Sequence, residues 1–224
     1  MSEIFLFLGL GFVLGLRHAL EGDHIAAVGT MVRRQKKGMI LSWLGFVWGV
    51  GHTSTLFLAA ALVVLFRIAI PHHAALWFEL AVGAVLILFG VNLLRRMKDD
   101  KVHIHTHKHD GLEHSHLHSH KEEPEHRHLH RPLLMGALHG LAGSAALMLI
   151  VLGATNGGWQ ALAFVLIFGL GSAVSMQIVS MIIGAAFHAS EKLSWLSEAL
   201  TLAASSFSIF FGIILIYEIG KNLI

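Results

Sequence analysis

The sequence predicts an all-α polytopic membrane protein of six transmembrane helices, arranged as two inverted three-helix repeats with both termini outside. Three observations predict it: an apolar composition, six long hydrophobic stretches, and a weak self-similarity between the halves of the chain. Of 224 residues, 55% are hydrophobic and only 13% charged, with a mean hydropathy of +0.68. That is too apolar for a soluble domain of this length.

The first stretch, Ile4 to Met31, is interrupted by Arg17, His18, Glu21, Asp23 and His24. It opens Met1-Ser2-Glu3, without a basic leader or a small-residue cleavage site, so it is expected to stay in the mature chain. Met39 to Phe66, Ala74 to Leu94, Leu133 to Leu152, Ala161 to Phe187 and Ala199 to Tyr217 follow, each beyond the roughly 18 residues that signal a spanning helix. Thirteen of the 16 Lys and Arg residues fall in the loop after the first span, the middle loop and at Lys192; Arg67 and Lys221 lie on the other side. The positive-inside rule then places the middle loop in the cytoplasm. The same placement explains the basic pI near 9.1 as a topology signal, with no nucleic acid as partner.

Three units result: residues 1–97 as the first three-helix repeat, 98–131 as a cytoplasmic His-rich loop, and 132–224 as the second repeat. The loop holds eleven of the chain's 18 histidines, from His103 to His130. Alternation of His with Thr, Ser, Lys and Leu cannot bury a core, so the loop is expected to be disordered without metal. The repeat rests on three alignments of similar offset: Gly15 to Asp23 with Gly136 to Ser144, Trp48 to His52 with Phe168 to Ser172, and Phe89-Gly90 with Phe211-Gly212. An odd number of spans per half inverts the second half, the plan of secondary transporters whose site lies between the halves near the midplane.

The chemistry concentrates in His18, Asp23 and His24, metal-competent side chains inside a span, where ionisable groups are costly and by default functional. In a straight helix Asp23 lies roughly 140° and His24 roughly 240° around from His18. Either the helix opens near Gly22, or one of the three stands behind the other two. His52, after Gly51 in the second span, is a candidate fourth ligand or an interhelical hydrogen-bonding histidine. His139 matches His18 in the second half and is either a ligand across the pseudo-twofold axis or a packed histidine. With no cysteine in the chain, thiolate is excluded; imidazole, carboxylate, thioether and backbone suit nickel and cobalt better than copper(I).

Arg17-His18-Ala19-Leu20-Glu21-Gly22-Asp23-His24-Ile25 resembles the HX4DH signature of the nickel/cobalt transporter family. Gly51-His52-Thr53-Ser54-Thr55 looks like that family's second motif, and His139-Gly140-Leu141-Ala142-Gly143-Ser144 is similar to its small six-span branch, which includes urease-associated nickel permeases. The resemblance covers all six spans. It implies transport without a cofactor, with Ni²⁺ or Co²⁺ as substrate and His18, Asp23, His24 and His52 as the metal path, joined by His139. It further implies a multi-pass protein of a prokaryotic plasma (inner) membrane, served by a cytoplasmic metallochaperone or by urease or hydrogenase maturation proteins. Uptake is the expected direction; a His-rich cytoplasmic loop is also similar to related nickel/cobalt efflux proteins, so efflux on the same scaffold is the alternative. No nucleotide-binding GxxxxGK loop is present, and a membrane metalloenzyme lacks its HExxH helix or histidine boxes. The chain is expected not to be an enzyme.

Overall fold

The computed structural model describes residues 2–33, 39–66, 72–99, 103–109, 112–118, 130–154 and 158–223. They form seven helices and one hairpin in the order α1 (Ser2–His18), α2 (Gly22–Val32), α3 (Met39–Phe66), α4 (His72–Asp99), β1 (His103–His109), β2 (Leu112–His118), α5 (His130–Ala154), α6 (Gly158–Ser190) and α7 (Ser194–Leu223). Within α3, α4, α6 and α7, the segments Trp43–Phe66, His73–Met97, Gly158–Ser190 and Ser194–Lys221 are each long and apolar enough to cross a bilayer. The expected first span is instead two helices, α1 and α2, bent by 56°. Helix α5 covers the expected fourth stretch.

The bundle buries polar side chains among its apolar core and leaves large apolar ones on its surface, unlike a soluble fold. Buried groups include His24, His52, His139, Ser172, Ser180, Ser205 and Ser208, whereas Phe5, Leu6, Leu65, Leu88, Ile182 and Phe210 are exposed. Such a surface is stable only against lipid. Four of the five tryptophans, Trp43, Trp77, Trp159 and Trp195, are exposed near helix starts, as in an interfacial aromatic belt. The fifth, Trp48, is fully buried. The chain is therefore a multi-pass membrane protein.

Helix α3 packs on α6 and α4 on α7; α1 lies on α6 as α5 lies on α3, and α2 touches α7 as α5 touches α4. Glycines set the closest of these approaches. A Cβ on Gly15 would meet the Phe168 carbonyl oxygen, and one on Gly136 would meet that of Trp48. Likewise Gly171 abuts Phe12 and Leu16, and Gly51 abuts Leu133 and Ala137. Small residues let backbones approach in this way, because dispersion rather than hydrophobicity drives association in lipid. Polar cross-links add to it. Ser208 Oγ donates to the Leu86 carbonyl at 2.8 Å, and Thr55 Oγ1 to that of Ala137 at 2.9 Å. Thr55→Val is expected to cost about 0.6 kcal/mol, the average for such a bond between membrane helices, and to lower the thermal unfolding midpoint in detergent slightly.

Within the loop expected to be disordered without metal, residues 103–109 and 112–118 are strands. These pair as an antiparallel ribbon with His103 opposite His118, His105 opposite His116 and His107 opposite His114. Histidine recurs there at every second position, the period of a strand, and the register sets these six opposite one another in three pairs. Asp110-Gly111 between them is a frequent two-residue hairpin sequence. The helices also extend to Asp99 and from His130, leaving the loop two residues shorter at each end; residues 100–102, 110–111 and 119–129 lie outside those described.

Candidate metal centre

The site grows from the interruption between α1 and α2. Helix α1 closes with tight bonds from Leu20 N–H to the Arg17 carbonyl at 2.9 Å and from Glu21 N–H to the His18 carbonyl at 3.0 Å. Glu21 then turns extended, with φ −65° and ψ 150°, and α2 starts at Gly22. A side chain at Gly22 would run into the Phe211 ring, so a larger residue at the restart would have to displace that ring. The break, between His18 and Gly22, is the first of the two alternatives that helical geometry left open. His18 ends one helix while Asp23 and His24 open the next, which removes the need for all three to share one helical face.

Asp23 Oδ1 accepts both the backbone N–H of His24, at 2.8 Å, and its Nδ1–H, at 2.9 Å. A carboxylate in the first turn of a helix also faces that helix's positive end. His52 enters from α3, as the fourteenth of its 28 residues, and His139 from α5, as the tenth of 25. Both are near mid-helix and buried, as is His24, with 2–3% exposure. His24 is the hub: its ring centroid lies 4.6 Å from that of His18, 5.7 Å from His52 and 4.9 Å from His139.

Neighbouring acceptors fix which ring nitrogens are free. His18 Nδ1–H donates to Glu21 at 3.0 Å, His24 Nδ1–H to Asp23, and His139 Nδ1–H to the Met135 carbonyl at 3.1 Å. Each bond leaves Nε2 with its lone pair available, the arrangement in which histidine ligates a metal. The His18 and His52 Nε2 atoms stand 3.4 Å apart, and His139 Nε2 is 3.7 Å from Asp23 Oδ2. His24 Nε2, His52 Nδ1 and His139 Nε2 are buried without a hydrogen-bond partner. Orphaned buried polar atoms are rare enough to demand an explanation. A cation would satisfy two of these three directly, the Nε2 atoms of His24 and His139.

All five residues singled out from the sequence thus meet in one place. The sequence reading missed three more. Glu21 holds His18, and its spacing of three residues at a helix end was a usable signal. Trp48 stacks on His139 at 5.2 Å and Phe168 on His18 at 5.3 Å; both looked like ordinary core, although the alignment of the halves pairs Trp48 with Phe168 as it pairs His139 with His18.

Residues 26–214 match a family described as the cytochrome C biogenesis protein transmembrane region. The urease accessory protein UreH of Bacillus sp. (strain TB-90) is 34% identical over 213 residues, covering 95% of this chain and 91% of UreH. The chain belongs to that transmembrane family and to the nickel/cobalt permeases of the urease-associated type. The nickel transporter NixA of Staphylococcus aureus (strain NCTC 8325 / PS 47) is 36% identical over 96 residues, which cover 38% of this chain and 28% of NixA. No solved structure matches. Without cysteine, no thiol–disulfide exchange can run through this scaffold. A member of this permease family is not an enzyme.

Proposed function

We propose that the chain imports Ni²⁺, and Co²⁺ with it, across the plasma membrane of a prokaryote, using His18, Asp23, His24, His52 and His139 as the intramembrane path. The observation that carries this reading is the convergence of five ligand-type side chains at a helix break in the middle of apolar helices. One carboxylate and four neutral imidazoles offer a borderline divalent ion both nitrogen donors and a negative charge in place of its water. The names of UreH and NixA, one a urease accessory protein and one a nickel transporter, support the same cargo.

In this reading the six spans are α1 with α2, α3, α4, α5, α6 and α7, with termini outside and the His-rich ribbon in the cytoplasm. The halves are inverted repeats. The matched contacts of Gly15 with Gly136, Gly51 with Gly171 and Phe168 with Trp48 support this, since each falls on the partner required by the offset of the repeat. Rocking of one half against the other would open the site to each side in turn. Inward movement of a 2+ ion gains about 4.6 kcal/mol per 100 mV of membrane potential, at about 2.3 per charge. Uptake therefore needs no nucleotide.

Cells expressing the chain are expected to accumulate radioactive nickel, and liposomes holding the purified protein to take it up under an inside-negative potential. Asp23→Asn should abolish both while still inserting normally. Cells that lose nickel instead would establish export, and unchanged uptake by Asp23→Asn would dismiss the site. Glu21 sets a finer expectation. Glu21→Ala should weaken nickel binding by about 10- to 100-fold, the usual loss when a histidine ligand's supporting acceptor is removed, whereas Glu21→Gln should keep most of it through the amide oxygen. Titration calorimetry distinguishes the two.

A further inference from the structure

Taking the proposed transport role as its basis, we infer that the midplane cluster is two mutually exclusive cation positions sharing His24, between which the ion is handed during passage. The five ligand residues do not form one group. Their donor atoms fall into two triads, His18 with His24 and His52, and Asp23 with His24 and His139, and within each triad all three atoms lie within 4.8 Å of one another. Nitrogen and oxygen donors around a first-row divalent ion sit about 2.0–2.2 Å from it, so two donors to one ion are separated by at most about 4.4 Å. No separation within either triad exceeds that limit by more than about 0.4 Å. No larger set of the five brings its donors this close together, so one ion cannot use all five in this conformation.

The two positions differ in charge and in surroundings. The first is all imidazole and neutral; it adjoins Glu21, whose side chain is 57% exposed, and so faces the open side of the helix break. The second carries the Asp23 carboxylate and is lined by Trp48, whose ring lies 6.2 Å from His24 and 5.2 Å from His139. His24 serves both through a single free Nε2, because its Nδ1 is held by Asp23. One lone pair binds one ion at a time, and two dications this close would repel strongly in a low-dielectric interior. Transfer then requires His24 to keep its bond while two ligands are exchanged for two others, so the ion is never stripped bare.

The test compares full-length variants in detergent by equilibrium dialysis with radioactive nickel, alongside uptake by the same proteins in liposomes. The His-rich segment contributes equally to every variant, so binding in excess of His24→Ala reports the midplane alone. Wild type should exceed His24→Ala by one ion. The double variant His18→Ala/His52→Ala should retain that ion in the second position, and His139→Ala should retain it in the first, each with uptake reduced by about 100-fold or more. Excess binding lost in both would establish one indivisible site, and two excess ions in wild type would show positions that are not exclusive; either overturns the handover. Gln in place of Ala at the same positions guards against misfolding, with elution as wild type required of every protein compared. Full uptake by variants that have lost the excess ion would instead refute the proposed transport path itself.

Discussion

His24→Ala is expected to abolish nickel uptake, an effect as large as that of Asp23→Asn. The reason is geometric. His18, His52 and His139 each belong to one donor triad, whereas His24 belongs to both, so its removal leaves two ligands at either place. Asp23 suffers too, since both of its hydrogen bonds, at 2.8 and 2.9 Å, are made to His24. His24→Ala removes the imidazole donor and keeps the backbone N–H, so a carboxylate only 26% exposed loses one of its two hydrogen bonds. Initial uptake rates in liposomes should fall by at least about 100-fold, more than the loss on removing a merely supporting group. His52→Ala should leave the Asp23–His24 pair intact and cost only the cavity it opens, so it should be the more stable of the two variants. Equal thermal stability of the two variants would show that Asp23 does not depend on His24, contrary to the geometry.

Much of this centre is written locally in the chain. Apolar runs long enough to span, the break at Ala19 to Glu21, and the ligand types in His18 to His24 all follow from neighbours in sequence, because helix formation and its interruption are local events. His139 was legible only through the alignment of the halves, which placed it opposite His18 without saying whether it reached the same point. Its approach to Asp23 at 3.7 Å depends on how α5 settles on α3, and hence on Gly51, Gly136 and Gly140 meeting backbone across the interface. No residue-by-residue pattern encodes that distance. Trp48 was hidden for a related reason: an aromatic in an apolar helix reads as packing until the fold brings His24 and His139 against it. The histidine ribbon carries a different signal. Its lack of apolar residues argued against order, yet its strict alternation is compatible with backbone pairing that needs no core.

Gly15→Leu and Gly136→Leu should each prevent the protein from being recovered folded, an effect comparable in size to the loss of His24 but arising from packing alone. At both positions a Cβ would collide with a carbonyl oxygen of the facing helix, Phe168 in one case and Trp48 in the other. Backbone cannot step aside as a side-chain tip can, so the helices must separate, at a cost at or above the roughly 3 kcal/mol that marks the upper range for overpacked cores. Gly9 supplies the contrast. Nothing lies within 4 Å of a Cβ placed there, and Gly9→Ala should be neutral or stabilise by up to about 1 kcal/mol through helix propensity. Thermal unfolding in detergent, followed by tryptophan fluorescence, separates these outcomes. Gly136→Ala is the most informative of the series. A single methyl pushes α5 from α3 without ejecting it, moving His139 away from Asp23 and His24 while His18 and His52 keep their distance. Uptake should therefore fail in a protein that still folds, because a site assembled from four helices loses its spacing before the bundle loses its stability.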